Sequence, residues 1–329
     1  MGNKPSAPET EPESSKKRAQ RSDWLPIGAL ALLCSFWAID TLRADVLPDL
    51  FPDPLPRFEG ASISFVLFAA AAALLGMVSK AKWPRGRVLL DAIWIGAGMF
   101  VIPAVLIYLS DGRVSKLSQA ALFSLVPVFA LIFEPYIGAD PTGPRRGGLL
   151  AALIALTGML FAFPVQIPAS IPTALGFCTV ILGTAFAAAA NCKAVVLITE
   201  TAKQSRMPII AIAAATVSAG FAGAGAVTEH AVWQWSLLGP HLLWSAAVEL
   251  PGLFLLFWLM HRMSAVRMST RYLIAPLISI LLGVLLLHPI VQPRTWLGLL
   301  LVAAGAAYLL LTPEGQPENE VETSTLSLH

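Results

Sequence analysis

Two stretches decide how this chain folds: LSQAALFSLVPVFALIFEPYIG (117–138) and MSTRYLIAPLISILLGVLLLHPI (268–290). Each is a continuous apolar run with a proline inside it, Pro127 in the first and Pro276 in the second. Each is followed by a second apolar run rich in small residues, LLAALIALTGMLF (149–161) and WLGLLLVAAGAAYLL (296–310). A helix needs about 20 apolar residues to cross a bilayer, and these runs approach or exceed that length. They are continuously apolar rather than alternating, so they read as helices and not as barrel strands.

Working outward, ten such runs can be placed: 25–46, 61–79, 88–109, 118–138, 147–164, 172–194, 207–228, 241–261, 271–288 and 295–311, with the sixth able to continue through KAVVLIT to Thr199. The composition agrees. Hydrophobic residues make up 56% of the 329 and charged residues 13%, against roughly 25% charged in a soluble domain. Residues 1–23 and 312–329 hold much of that charge, leaving 17 of the 22 cations and 12 of the 20 acids for 24–311. That is too little polar surface to cover a water-soluble globule. Soluble enzymes, nucleic-acid binders and disulfide scaffolds are excluded. Cys34, Cys178 and Cys192 lie in apolar stretches without metal-ligand spacing and read as small buried hydrophobes.

The polar segment 1–23 reads as a disordered cytoplasmic tail, followed by a signal-anchor rather than a cleavable leader. The acidic segment 312–329 reads as a second disordered cytoplasmic tail. The Pro- and Asp-rich segment RADVLPDLFPDPLPRFEG (43–60) is expected to form an ordered external hairpin or cap. Loop cations set the orientation. With the N-terminus in the cytoplasm, inside segments carry sixteen: Lys4, Lys16, Lys17, Arg18, Arg21, Lys80, Lys82, Arg85, Arg87, Arg145, Arg146, Lys203, Arg206, Arg262, Arg267 and Arg271. Outside segments carry five: Arg43, Arg57, Arg113, Lys116 and Arg294. Both termini are therefore expected inside.

The halves of the span region, 24–167 and 168–311, share landmarks in the same order. Pro103 pairs with Pro251, Pro127 with Pro276, and Gly158 with Gly305. Phe36 stands seven residues before Arg43, as Phe186 does before Lys193. A five-span unit that repeats must return upside down. Inverted repeats place a binding site near the membrane midplane and give two related conformations that open to opposite sides. Prolines within spans free backbone carbonyls and allow bending, so Pro103, Pro127, Pro251 and Pro276 are candidate bending points. The fold expected is an all-α polytopic membrane protein, ten transmembrane helices as two inverted five-helix repeats.

SLVPVFALIF (124–133) and IAPLISILLGVLLL (274–287), each followed by its small-residue helix, together with SFWAID (35–40), resemble the EamA-like members of the drug/metabolite transporter superfamily over about residues 24–311. The resemblance implies a transporter with a central cavity between the third, fourth, eighth and ninth spans, in a bacterial cytoplasmic (inner) membrane. The chain departs from that pattern in two places. Asp140 and His288 stand near where the family carries glutamates after the fourth and ninth spans. GTAFAAAANCK (183–193) has no tryptophan to match Trp37.

Ionisable groups at membrane depth are costly and need an explanation. Glu249 lies near the middle of the eighth span, two residues before Pro251. It fits a proton-coupling acid or a counter-charge for a cationic solute; it equally fits a neutral, hydrogen-bonded lock between helices. Lys193, near the inner end of the sixth span, either snorkels to the interface or pairs with an acid or an anionic substrate. Arg43 has the same two readings. Asp91 sits favourably at a helix N-terminus, Asp40 faces an external vestibule, and Glu134 reaches the inner headgroups. Trp94 and Trp244 could line a cavity and hold a cationic amine, while Tyr108, Trp258 and Trp296 fit the interfacial belt. The small residues of FAAAAALLG (68–76) and SAGFAGAGA (218–226) read as helix-packing surfaces. They would also admit a homodimer.

No HExxH, GxSxG, Walker A or DDxxD pattern is present. The expected protein is not an enzyme and needs no cofactor or metal. Its partners are a small-molecule solute and the lipid bilayer, and no nucleic acid. The leading expectation is a secondary transporter of small organic metabolites, an exporter working by alternating access with proton coupling. Its rivals are a membrane-embedded enzyme acting on a lipid-linked substrate, which predicts a polar cluster at one interface, and a non-transporting sensor or scaffold derived from a transporter.

Overall fold

A computed structural model describes residues 13–46, 55–138, 146–163, 165, 168–202, 205–229, 235–288 and 291–312. Among them every regular element is helical. Among the described residues nine helices are long and apolar enough to cross a membrane, from 19 to 30 residues each, and Gly147–Ala162 is a shorter apolar helix. This is the architecture of a polytopic integral membrane protein.

In chain order, α1 (Glu13–Val46) and α2 (Arg57–Val78) form the first two spans. The third comprises α3 (Arg87–Gly96), a π-helical turn over Ala97–Val101, and α4 (Ile102–Ser110). The fourth is split into α5 (Lys116–Phe123) and α6 (Val126–Ile137). Then come α7 (Arg146–Ala162), α8 (Ile171–Glu200) and α9 (Arg206–Thr228). The eighth span comprises α10 (Trp235–Trp244), a second π turn over Ser245–Glu249, and α11 (Leu250–Met260). The short α12 (Ala265–Ser269), α13 (Arg271–Leu287) and α14 (Pro293–Leu311) complete the chain.

The prolines explain the interruptions. A proline has no N–H to give, and its ring crowds the carbonyl four residues earlier. At Pro103 and Pro251 the helix answers with a widened π turn just upstream. At Pro127 it breaks instead, and α6 restarts with the proline in its first turn. Pro276 is carried inside α13 without a break. Serines start the short helices: Ser115 accepts from the Ser118 amide at the head of α5, and Ser264 from the Arg267 amide at the head of α12.

Packing follows residue size. α7 and α14 lie along one another, and so do α2 and α9. At the first pair a Cβ on Gly158 would sit 2.7 Å from the Gly298 carbonyl, and one on Gly305 2.9 Å from the Ala155 amide nitrogen. Only glycine admits backbones this close. α8 runs through the bundle against α3, α4 and α6, while α1 packs on α11 and α13. Phe68 stands edge-on to Phe254 and stacks on Phe257, tying α2 to α11.

Several expected boundaries move. α1 begins at Glu13, so helix runs into the segment read as a tail. The second span starts at Arg57, the sixth continues to Glu200, and the ninth begins with α12. Cys34 and Cys192 are buried as expected, but Cys178 is exposed. The expected cap over 43–60 falls largely on 47–54. That segment, Asp140, residues 1–12 and the tail from 313 lie outside the described residues.

Candidate functional site

The first polar centre is built on the π turn of the eighth span. Ser245 and Glu249 lie at its two ends, and the Ser245 hydroxyl donates to Glu249 Oε2 at 2.9 Å. Ser64 of α2 lies 2.7 Å from Ser245 Oγ and 3.2 Å from His241 Nε2. That Nε2 is also 3.0 Å from the Gly60 carbonyl. A serine hydroxyl has one proton. Ser245 gives its proton to Glu249, the single proton of Ser64 has two acceptors in reach, Ser245 Oγ and the Gly60 carbonyl at 3.1 Å, and that carbonyl also faces His241 Nε2. The result is a hydrogen-bonded chain of His241, Ser64, Ser245 and Glu249 that joins α2 to the eighth span. Ser64, His241 and Ser245 are buried. Sequence reading singles out Glu249 by its depth and gives no signal for His241, which lies at the start of the eighth span. The missing signal was the serine four residues before Glu249, which a helical-face reading would have exposed.

Beside this chain, the Trp244 indole N–H donates to Asp40 at 2.7 Å, and the Arg43 guanidinium lies 5.3 Å over the Trp244 ring and 3.8 Å from Asp40. Trp244 is 4% exposed. Trp244 is the residue expected to line a cavity and hold a solute amine, and in this structure the cation over its ring is the chain's own Arg43. Trp94 differs, being 39% exposed with its ring edge-on to Phe186. One turn before it, Asp91 pairs with Lys193 at 3.2 Å. Of the two readings of Lys193, the pairing is the one the geometry realises, and the acid is Asp91. Tyr108, two residues from the end of the third span, stands edge-on to buried Phe58.

The second centre was not foreseen. Arg271, counted by sequence as an inside-loop cation, is 1% exposed. Its Nη1 donates to Asn191 Oδ1 at 3.0 Å and to the Met268 carbonyl at 3.3 Å, and its Nη2 to the Tyr272 hydroxyl at 3.1 Å. The Tyr272 and Trp37 rings lie 4.7 and 5.7 Å from the guanidinium carbon. Nε has no hydrogen-bond partner, and no acid among the described residues pairs with Arg271. An arginine at the first residue of a span reads as a loop cation in sequence. Only the packing of α12 under α6 and α8 carries it inward.

Glu59, 4% exposed and without a hydrogen-bond partner on either oxygen, was also missed. Its neighbour Glu229 explains the start of α2. Pro56 has no side-chain acceptor to offer, so the Glu229 carboxylate at the end of α9 accepts from the Phe58 and Glu59 amides at 2.9 and 3.2 Å. Elsewhere, a hollow of about 780 Å³ lies between the loop holding Asp111, Arg113 and Lys116 and the start of α8 at Thr173. Among the described residues no group of three His, Cys, Asp or Glu side chains is placed to hold a metal ion.

No family model matches the sequence, and no curated protein does. Solved structures do. One, described only as "Crystal structure of protein", is similar with a TM-score of 0.67 at 15% identity, over 87% of this chain and 99% of that one. At that identity the likeness is one of fold alone.

Proposed function

We propose that this chain is a secondary transporter of small organic solutes, built as two inverted five-helix repeats and working by alternating access across a bilayer. The observation that carries the reading is a reciprocal one. Ser62 of α2 and Ser218 of α9 each donate a hydroxyl proton to the other's backbone carbonyl, both at 3.0 Å. The two bonds fasten α2 to α9, the second spans of the two proposed repeats.

Other pairs support it. The π turns of the third and eighth spans stand at matching places before Pro103 and Pro251. Ser115 and Ser264 cap matching short helices. Gly158 meets Gly298 while its counterpart Gly305 meets Ala151. The first span packs on the eighth and ninth as the sixth packs on the third and fourth. With inverted halves the solute site falls near the midplane, and exchange of the two halves' conformations moves the opening from one side to the other. The π turns concentrate bending at Pro103 and Pro251. Glu249, at the end of the serine chain, is the group proposed to take and release a proton during that exchange.

The test is flux. Purified protein is reconstituted into vesicles loaded with a pH-reporting dye, and amines, amino acids, carboxylates and sugars are added in turn. A solute that moves protons only when the protein is present supports the reading. A chain that moves none of them, and shows no counterflow, is not a transporter of these classes.

A further inference from the structure

Arg271 remains unexplained by the proton chain. It is sealed from solvent, yet its positive charge has no acid beside it, one guanidinium nitrogen is idle, and the groups that touch it are neutral. Cation–π contact with Tyr272 and Trp37 compensates in part, but a buried charge without a counter-charge is costly. A second group is also half used. The Tyr272 hydroxyl accepts from Arg271, and its own proton has no acceptor among the described residues. Two donors of adjacent residues, Arg271 Nε–H and Tyr272 O–H, thus have no acceptor among the described residues.

The surroundings describe the rest of the missing group. The Phe123 ring of α5 lies 5.9 Å from Tyr272, and Phe129 and Phe133 of α6 pack on the same cluster. Arg271 thus sits between two polar acceptors, Asn191 and the Met268 carbonyl, and two aromatic rings, Trp37 and Tyr272, with Phe123 behind Tyr272. From Ile274 to Val284 no residue of α13 is fully buried. Phe123 and Tyr272 also hold matching places in the two halves, 149 residues apart as Pro127 and Pro276 are. Counterparts that touch lie on the axis relating the halves, which for inverted repeats is the membrane midplane.

The geometry points to Arg271 as the anchor of a binding site for a small organic anion, a carboxylate with an apolar body of about the size of one aromatic ring. The inference rests on the transport reading and names its substrate class. The carboxylate takes the idle Nε–H and the Tyr272 O–H, as a planar guanidinium favours. Its apolar body lies against Trp37 and Phe123. Here the sealed arginine is the closed state, and the partly exposed face of α13 is the way in.

The test is binding, so that it does not depend on flux. Full-length protein in detergent is melted with phenylacetate, with neutral phenylacetamide, with benzylamine and with inorganic phosphate. Phenylacetate is expected to raise the melting temperature in proportion to its occupancy, and the other three to do so far less. Arg271→Gln is expected to weaken phenylacetate by about tenfold to a hundredfold, the cost of a lost charge-assisted hydrogen bond. Arg271→Lys should recover part of that affinity, and Tyr272→Phe should lose a smaller part. Should Arg271→Gln not fold, unchanged affinity in both of the other variants overturns the proposal. It is equally overturned by no shift with phenylacetate, by an equal shift with phenylacetamide, or by an Arg271→Gln protein that binds as wild type does. A phosphate shift equal to that of phenylacetate removes the apolar body from the proposal and so overturns it as stated. Binding without flux would sink the transport reading and leave this one; flux of another solute, indifferent to Arg271, would do the reverse.

Discussion

Ser62 and Ser218 hold each other twice, each hydroxyl on the other's carbonyl at 3.0 Å, with their oxygens 3.2 Å apart. The contact joins α2 to α9 across 156 residues of sequence. Interhelical hydrogen bonds in membranes are worth about 0.6 kcal/mol each on average. Ser62→Ala and Ser218→Ala should therefore each cost about that much, by equal amounts, in unfolding measurements in mixed micelles. The double variant should cost less than the sum if the pair acts as a unit. Strongly unequal single costs would argue against the symmetric arrangement.

Glu249→Gln should insert and fold normally, because the amide still accepts from Ser245. Proton-dependent flux should be lost while solute counterflow partly survives. Ser64→Ala should slow the same step, since it removes the middle of the chain from His241. Glu249→Ala should also lower the melting temperature by leaving Ser245 without its acceptor. Full pH-dependent transport in Glu249→Gln would reduce the residue to a helix lock.

Asp91 and Lys193 are both only partly buried, so their pair should be worth about 1 kcal/mol or less. Asp91→Asn and Lys193→Gln should each destabilise slightly, and the exchange Asp91→Lys with Lys193→Asp should recover most of the loss. A double-mutant cycle with no coupling would remove the pair from the account.

Gly158→Leu or Gly305→Leu should separate α7 from α14, because side-chain atoms would meet backbone within 3 Å. Overpacking of this kind costs about 1–3 kcal/mol or more. Gly28→Ala and Gly223→Ala, where nothing lies within 4 Å, should change the melting curve little.

Reporter fusions test the orientation. Those after Lys82, Arg206 and Arg267 should report one side of the membrane, and those near Arg113 and Ser170 the other. A C-terminal fusion on the same side as Arg113 would end the inverted-repeat reading.

The spans were legible because runs such as 117–138 are continuous, and a bilayer demands nothing subtler. The landmark prolines were legible too, but their effects were not. Pro103 and Pro251 follow a widened turn, Pro127 follows a break and Pro276 does neither, and the residue type alone does not distinguish them. Glu249 stood out by its depth alone. His241 and Ser64 did not, since a span-end histidine and a lone serine gain meaning only when two helices are brought together. Arg271 was hidden by the opposite effect: charge near a span end reads as interface, and nothing local says that α12 tucks it inside.

The Glu229 cap on α2 has a mechanical meaning. Together with the Ser62–Ser218 pair it pins α2 to α9 at two levels, so pulling these helices apart breaks two reciprocal bonds and the cap at once. Bending at the π turns breaks none of them. In the proposed transport cycle, α2 and α9 are thus a fixed post, and the third and eighth spans are the levers that swing beside it.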